Sequence, residues 1–144
     1  MKLSTRTKYG IRAVIEIAGH YGQGPLQSKI IAERQELSAK YLEQLIAILK
    51  MADFVRSVRG AKGGYVLSRP PKDIKLSEVF RALEGSVVTV ECLENDDYCN
   101  RTANCVTRQL WAEVQDAVYK VLESKTLQDM VDRANHKKEL FYQI

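Results

Sequence analysis

Residues 38–67 read SAKYLEQLIAILKMADFVRSVRGAKGGYVL, and the period of their apolar side chains changes midway from helical to extended. Tyr41, Leu42, Leu45, Ile46, Ile48 and Leu49 recur at spacings of three and four, which gives a helix one apolar face while Lys40, Glu43, Gln44, Ala47 and Lys50 look outward. Ser38 is placed to cap that helix. Past Phe54, Val55-Arg56-Ser57-Val58 can extend as a strand, Arg59-Gly60-Ala61-Lys62-Gly63-Gly64 is a basic glycine-rich turn, and Tyr65-Val66-Leu67 returns as a second strand. The glycines allow the positive φ and close backbone approach that such a tip requires. A nucleotide phosphate loop does not fit, because the tip lacks the G-x-x-x-x-G-K-[ST] spacing and leads into a strand instead of a helix.

Upstream, Ile11, Val14, Ile15, Ala18 and Tyr21 make the stripe of an amphipathic helix from Thr7 to about Tyr21, stopped by Gly22, Gly24 and Pro25. A short helix from Ser28 to Arg34 follows, with Ser28 as its expected N-cap, and Gln35, Glu36 and Leu37 connect it to the helix capped by Ser38. Two helices joined so briefly suit a helix-turn-helix or a plain helical hairpin. The two-stranded ribbon with a basic tip that follows at once favours the first, as a winged helix.

Downstream, Leu76–Leu83 is a short packing helix stopped by Gly85, and a long amphipathic helix carries Val106, Leu110, Trp111, Val114, Ala117, Val118, Val121 and Leu122 on one face. That face needs a partner surface; pairing with a second copy is preferred over folding back, because a dimer also sets the separation of two reading helices on DNA. Thr126 caps a last helix to about Ala134, and NHKKELFYQI is left unassigned. The expected fold is mainly α: a winged helix-turn-helix over 1–85, a cysteine loop over 86–105, and a dimerisation helix with a C-terminal helix over 106–144.

Length and charge agree with this organisation. A chain of 144 residues is long enough to bury a core without staples. No apolar run approaches membrane-spanning length and the N-terminus lacks a signal-peptide core, so a cytoplasmic, reduced protein with no membrane partner is expected. Residues 1–90 hold 15 Lys/Arg against 8 Asp/Glu, whereas residues 91–144 hold 7 against 10. The basic half is the surface for a polyanion: Lys50, Arg56, Arg59, Lys62, Arg69 and Lys72 face only Asp53 between residues 50 and 72. No nucleophile–base pairing stands out and the chain has 2 histidines, which argues against an enzyme.

Cys92, Cys99 and Cys105 are the chain's three cysteines, all within the segment C-LENDDY-C-NRTAN-C. An odd, clustered set in a polar, turn-rich segment fits neither a disulfide framework nor core packing. Thiolates on one short loop suit an iron-sulfur cluster; zinc, for which the spacings are wide, and redox-active or inert thiols are the alternatives.

Four segments together, M-K-L-S-T-R-T-K-Y-G-I-R-A at the start, S-A-K-Y-L-E-Q-L, S-V-R-G-A-K-G-G-Y, and the three cysteines followed by T-R-Q-L-W, resemble the Rrf2-type transcription regulators, in particular the iron-sulfur cluster regulators among them. The resemblance covers nearly the whole chain. It implies a homodimeric regulator that reads palindromic double-stranded promoter DNA, represses or activates there, and responds to a cluster, [2Fe-2S] in preference to [4Fe-4S], on Cys92, Cys99 and Cys105. Control of cluster-assembly genes is the expected role, and a cluster-free relative that senses thiol redox state or sulfur metabolites is the alternative.

On that placement Ser28 lies where a helix N-terminus holds a phosphate, and Ser38, Lys40, Tyr41 and Gln44 lie within reach of phosphates and base edges. Glu43 can accept from cytosine N4 yet repels phosphate, and the resemblance implies that it tunes site choice. Arg59 and Lys62 charge the wing tip, where an arginine enters a minor groove or clamps a phosphate.

The resemblance also implies a fourth ligand, a histidine three residues after the last cysteine or an aspartate near the partner's first helix. This chain has Arg108 at the first position and Thr7 and Lys8 at the second, none of them suited to the task. Glu94, Asp96, Asp97, Glu43, His20 or a small exogenous ligand remain, while His20 and His136 read as ordinary surface or packing residues.

Overall fold

The hydroxyl of Ser4 accepts the Thr7 N–H at 3.1 Å and starts helix α1, Thr5–Gly19. In this computed structural model, which describes residues 2–86 and 90–143, the helix buries Thr7, Gly10, Ala13, Val14, Ile17 and Ala18. That face is rotated from the expected stripe: Ile11 and Ile15 are half-buried, and Tyr21, beyond the helix, is exposed. The pattern misled because Gly10 and Thr7 do not count as apolar. Gly10 is buried because its bare Cα admits Leu83, which a Cβ would approach to 2.6 Å, and Thr7 because its hydroxyl has a partner.

Helix α2, Ser28–Gln35, is capped at Gln27, whose carbonyl accepts from the N–H groups of Ile30 and Ile31. Ser28 is therefore the first helical residue and not the expected cap. Glu36 turns the chain in the left-handed region, φ 54°, and the Leu37 N–H closes the turn onto the Ala32 carbonyl at 2.9 Å. Ser38 then caps α3, Ala39–Met51, by accepting the Tyr41 N–H at 3.1 Å. Leu42, Leu45, Ile46 and Leu49 are buried, Tyr41 and Ile48 are half-buried, and the outward-facing residues are as the sequence predicts.

Strands β1, Val55–Val58, and β2, Gly64–Leu67, pair antiparallel with Val55 opposite Leu67 and Val58 opposite Gly64. Helix α4, Leu76–Glu84, ends at Gly85, whose φ of 91° suits glycine. Helices α5, Val106–Glu123, and α6, Leu127–Tyr142, follow. The described residues thus form the expected winged helix-turn-helix with long C-terminal helices; of the loop expected over 86–105, residues 87–89 lie outside the described part.

The final helix runs eight residues past its expected end, through most of the unassigned tail. Thr126 and Asp129 cap each other's backbone N–H at its start, and the Leu127 N–H bonds to the Ile74 carbonyl while the Leu76 N–H bonds to that of Lys125, both at 2.9 Å. This clamp returns α6 to α1, so Leu127 and Val131 join one core with Val14, Ile17, Leu49, Val79 and Leu83. Helix α5 buries none of its residues.

One polar cluster is built into the packing. A single Glu84 carboxylate oxygen accepts from the Ser4 hydroxyl at 2.7 Å, the Ser4 N–H at 3.2 Å and the buried Thr7 hydroxyl, tying the start of α1 to the end of α4. The hydroxyls of Thr7 and Ser4 hold the Glu84 carboxyl below the ordinary carboxylate range. A depressed folded-state pKa contributes stability above the unfolded pKa, which is lost as pH falls through the folded value. Glu84→Gln is expected to lose about 1–2 kcal/mol in urea unfolding at pH 7, with the gap to the parent closing below about pH 4. A gap constant from pH 7 to 3 contradicts a role for the ionised carboxylate.

Candidate nucleic-acid interface and cysteine loop

Each expected DNA-reading side chain has a defined place. Ser38 and Lys40 are exposed at the start of α3, and Glu43 and Gln44 are exposed one turn on. Tyr41 differs from them: it is half-buried, and its ring meets Tyr9 of α1 edge-on with centroids 6.2 Å apart. Ser28 is exposed on the first turn of α2, and Arg59 and Lys62 are exposed on the β1–β2 tip.

The wing does not stand away from the helices. Leu26, just before α2, and Tyr65 on β2 exchange both backbone hydrogen bonds at 2.9 Å, as an added rung on the ribbon. Gly64 makes this approach possible, since a Cβ there would sit 2.3 Å from the Leu26 carbonyl oxygen. The tip then turns through Gly60 at φ 116°. Gln27, Ser28 and Lys29 thereby face Ser57, Arg59 and Tyr65 across an open groove of about 490 Å³.

Lys29 is exposed on this groove, and sequence reasoning passed over it. Its signal was adjacency to Ser28 on the first turn of a helix, but only the long-range Leu26–Tyr65 rung shows that the wing faces that turn. The basic patch also divides. The Arg56 guanidinium donates to the Ser68 carbonyl at 2.8 Å, and Arg69 pairs with Glu78 at 3.1 Å and lies over the Phe54 ring. Arg59 and Lys62 make no hydrogen bond or ion pair with another described residue. Two arginines serve the fold and two tip cations face solvent.

The cysteines are three free thiols, Cys92 and Cys105 half-buried and Cys99 exposed. Among the described residues no three His, Cys, Asp or Glu side chains converge on a common point, so the expected ligand set is not gathered. The Cys105 thiol lies at the N-cap of α5, and its pKa is lowered, first by the Thr107 hydroxyl at 3.2 Å, then by the Arg108 backbone N–H and by the Arg101 charge. Three unpaired thiols, one biased toward thiolate, fit a soft metal or cluster in the kind of donor they offer.

Arg108, in place of an expected fourth ligand, is engaged elsewhere. Its Nε donates to the Cys92 carbonyl at 3.0 Å and its terminal nitrogen pairs with Asp96, pinning the loop to α5. Thr7 is buried against Glu84 and unavailable as a ligand. Glu94 accepts from the Ser86 hydroxyl, His20 lines a groove between α1 and α6, and among the described residues neither Asp97 nor the exposed Glu43 belongs to a gathered set of three possible ligands.

A helix pair followed at once by a two-stranded wing with a basic tip defines the winged-helix class of DNA-binding fold. The Rrf2 family model, described as an iron-dependent transcriptional regulator, matches residues 3–133, and the chain belongs to the Rrf2 family of transcription regulators, which are not enzymes. The chain is 43% identical to the protein rrf2 of Nitratidesulfovibrio vulgaris over 94% of its own length and 90% of that protein's. It is similar in structure to CymR, the global cysteine regulator of B. subtilis, with 41% identity, TM-score 0.80, and 92% and 98% of the two chains covered. The IscR of T. potens is as near: 45% identity, TM-score 0.77, 93% and 88% covered. The family expectation stands, whereas the preference for an iron-sulfur regulator over a CymR-like one does not follow from these similarities.

Gly64→Ala is expected to break the Leu26–Tyr65 rung. The overpacked contact should lower stability by about 1–3 kcal/mol in urea unfolding, with faster amide hydrogen exchange at Leu26 and Tyr65. Unchanged exchange at both amides contradicts the close approach.

Proposed function

We propose that this DNA-binding regulator works in the cytoplasm as a homodimer that senses iron-sulfur cluster status through Cys92, Cys99 and Cys105 and transmits it to the grip on promoter DNA. The observation that carries the proposal is the placement of three free thiols in one segment, Cys99 exposed, Cys92 and Cys105 half-buried, with Cys105 at the N-cap position of α5. Dimerisation is supported by the apolar face of that helix, where Val106 is 77%, Leu110 49% and Val121 61% exposed. A continuous apolar face of this kind calls for a covering surface. A second copy covers it and spaces two α3 helices along the duplex.

Ser38, Lys40 and Gln44 at the N-terminal end of α3 meet base edges and phosphates, with Tyr41 beside them and Glu43 discriminating among sites. Arg59 and Lys62 take the adjoining backbone or minor groove, and Ser28 at the α2 N-terminus takes a phosphate. Cys92, Cys99 and Cys105 would hold the cluster as thiolates, and in doing so would tie the two ends of their segment together. The loop is anchored at both ends: Glu84 holds the end of α4 to α1, and Arg108 holds Cys92 and Asp96 to α5. Reordering between these anchors changes how α5 leaves the winged-helix unit, the kind of two-state element that couples a sensor to a grip.

A second reading is favoured by the dispersed thiols and by Arg108 in place of a ligand: a cluster-free regulator whose cysteines respond to oxidation or to a sulfur metabolite. Anaerobic purification with iron and sulfide assays separates the two. Bound iron and sulfide are expected, absent when all three cysteines are replaced by serine, together with an operator affinity that differs between loaded and unloaded protein by at least about fivefold. A colourless protein after reconstitution favours the thiol reading, and equal affinities in both states end the sensing proposal.

A further inference from the structure

Helix α1 grips the helix-turn-helix on both sides of its turn. After the turn, Tyr41 on the first turn of α3 packs edge-on against Tyr9. Before it, Gln35, the last residue of α2, accepts from Arg12 Nε at 2.6 Å and donates to Glu16 at 2.7 Å. Arg12 joins the two grips, because its guanidinium also lies 5.2 Å from the centroid of the Tyr9 ring. Glu16 adds an ion pair to Arg34 at 3.2 Å. Tyr9, Arg12 and Glu16 are three and four residues apart and so share one face of α1, while the turn between Gln35 and Tyr41 carries the left-handed Glu36.

We infer that Tyr9 and Arg12 are positioning residues that set the orientation of α3 by holding Gln35 and Tyr41 to α1, without contacting DNA themselves. Tyr41 is the link. Half-buried and packed on Tyr9, it occupies the turn of α3 from which Lys40, Glu43 and Gln44 project, so a shift of its ring re-aims all three. Arg12 in this role leaves the salt dependence unchanged, since its Nε is held by Gln35 and its guanidinium lies beside the Tyr9 ring, and a side chain that acts within the protein releases no counterion from phosphate. The inference rests on the reading of α3 as the recognition helix.

The test uses the full-length protein and an operator selected from random-sequence duplexes by the parent, with a scrambled duplex as competitor, across a salt series. Tyr9→Leu and Arg12→Ala are each expected to reduce the operator-to-scrambled affinity ratio by about fivefold to tenfold, leaving the slope of affinity against salt unchanged. Tyr9→Phe, which keeps the ring contacts, is expected to retain the parental ratio. Thermal unfolding monitors the fold of Tyr9→Leu, and Arg12→Ala, at an exposed side chain, carries the test if that variant is unstable. A salt slope reduced by about one in Arg12→Ala makes Arg12 a phosphate contact and overturns the inference, as does a Tyr9→Phe as damaged as Tyr9→Leu. Gln44→Ala is the control: if it lowers the ratio while Tyr9→Leu and Arg12→Ala do not, the positioning inference alone fails. If all three are silent, α3 is not the reading helix and the inference falls with it.

Discussion

Two backbone hydrogen bonds between Leu26 and Tyr65 hold the wing against the entry to α2, and the geometry of the surface proposed to meet DNA depends on them. A two-stranded hairpin is marginal in water by itself. Here the ribbon gains a rung from a segment thirty-nine residues earlier in the chain and a base in the core, where Val55 and Leu67 are buried. The backbone of the tip is consequently placed relative to α2, with Arg59 across the groove from Ser28 and Lys29. Electrostatic attraction to a duplex is non-directional, and it is this placement that lets attraction select an orientation.

The same economy runs through the rest of the unit. Helix α1 is packed on the core through Val14 and Ile17, carries the Tyr9–Arg12 contacts on a polar face, and is tied at its start to the end of α4 by Ser4, Thr7 and Glu84. The return of α6 onto α1 closes the core behind it. Helix α5 buries no residue fully and meets this unit through half-buried Leu122 and through Tyr119 beneath Arg81, so the core of the winged helix is built almost wholly from the other elements.

Most of the architecture was legible because local signals agreed. Ser38 as a cap, the 41–49 apolar face, the R-G-A-K-G-G tip and Gly85 as a stop each belong to short windows, and each was found where the sequence indicates. What escaped depended on distant partners. The buried face of α1 was misjudged because Leu83 and Glu84 decide it, and the length of α6 because its last turns bury nothing, with Leu140, Phe141 and Tyr142 all exposed. Among site residues, the exposed positions on α3 and the tip were readable from patterning. The dispersal of the cysteines and the engagement of Arg108 with Cys92 and Asp96 required the three-dimensional arrangement.

The central claim is that the tip cations and α3 act as one surface on a duplex. It is tested most directly by the salt dependence of operator binding in Arg59→Ala and Lys62→Ala. Each substitution is expected to weaken binding to all duplexes and to reduce the slope of log affinity against log salt by about one. Parental affinity and slope in both variants would contradict the account.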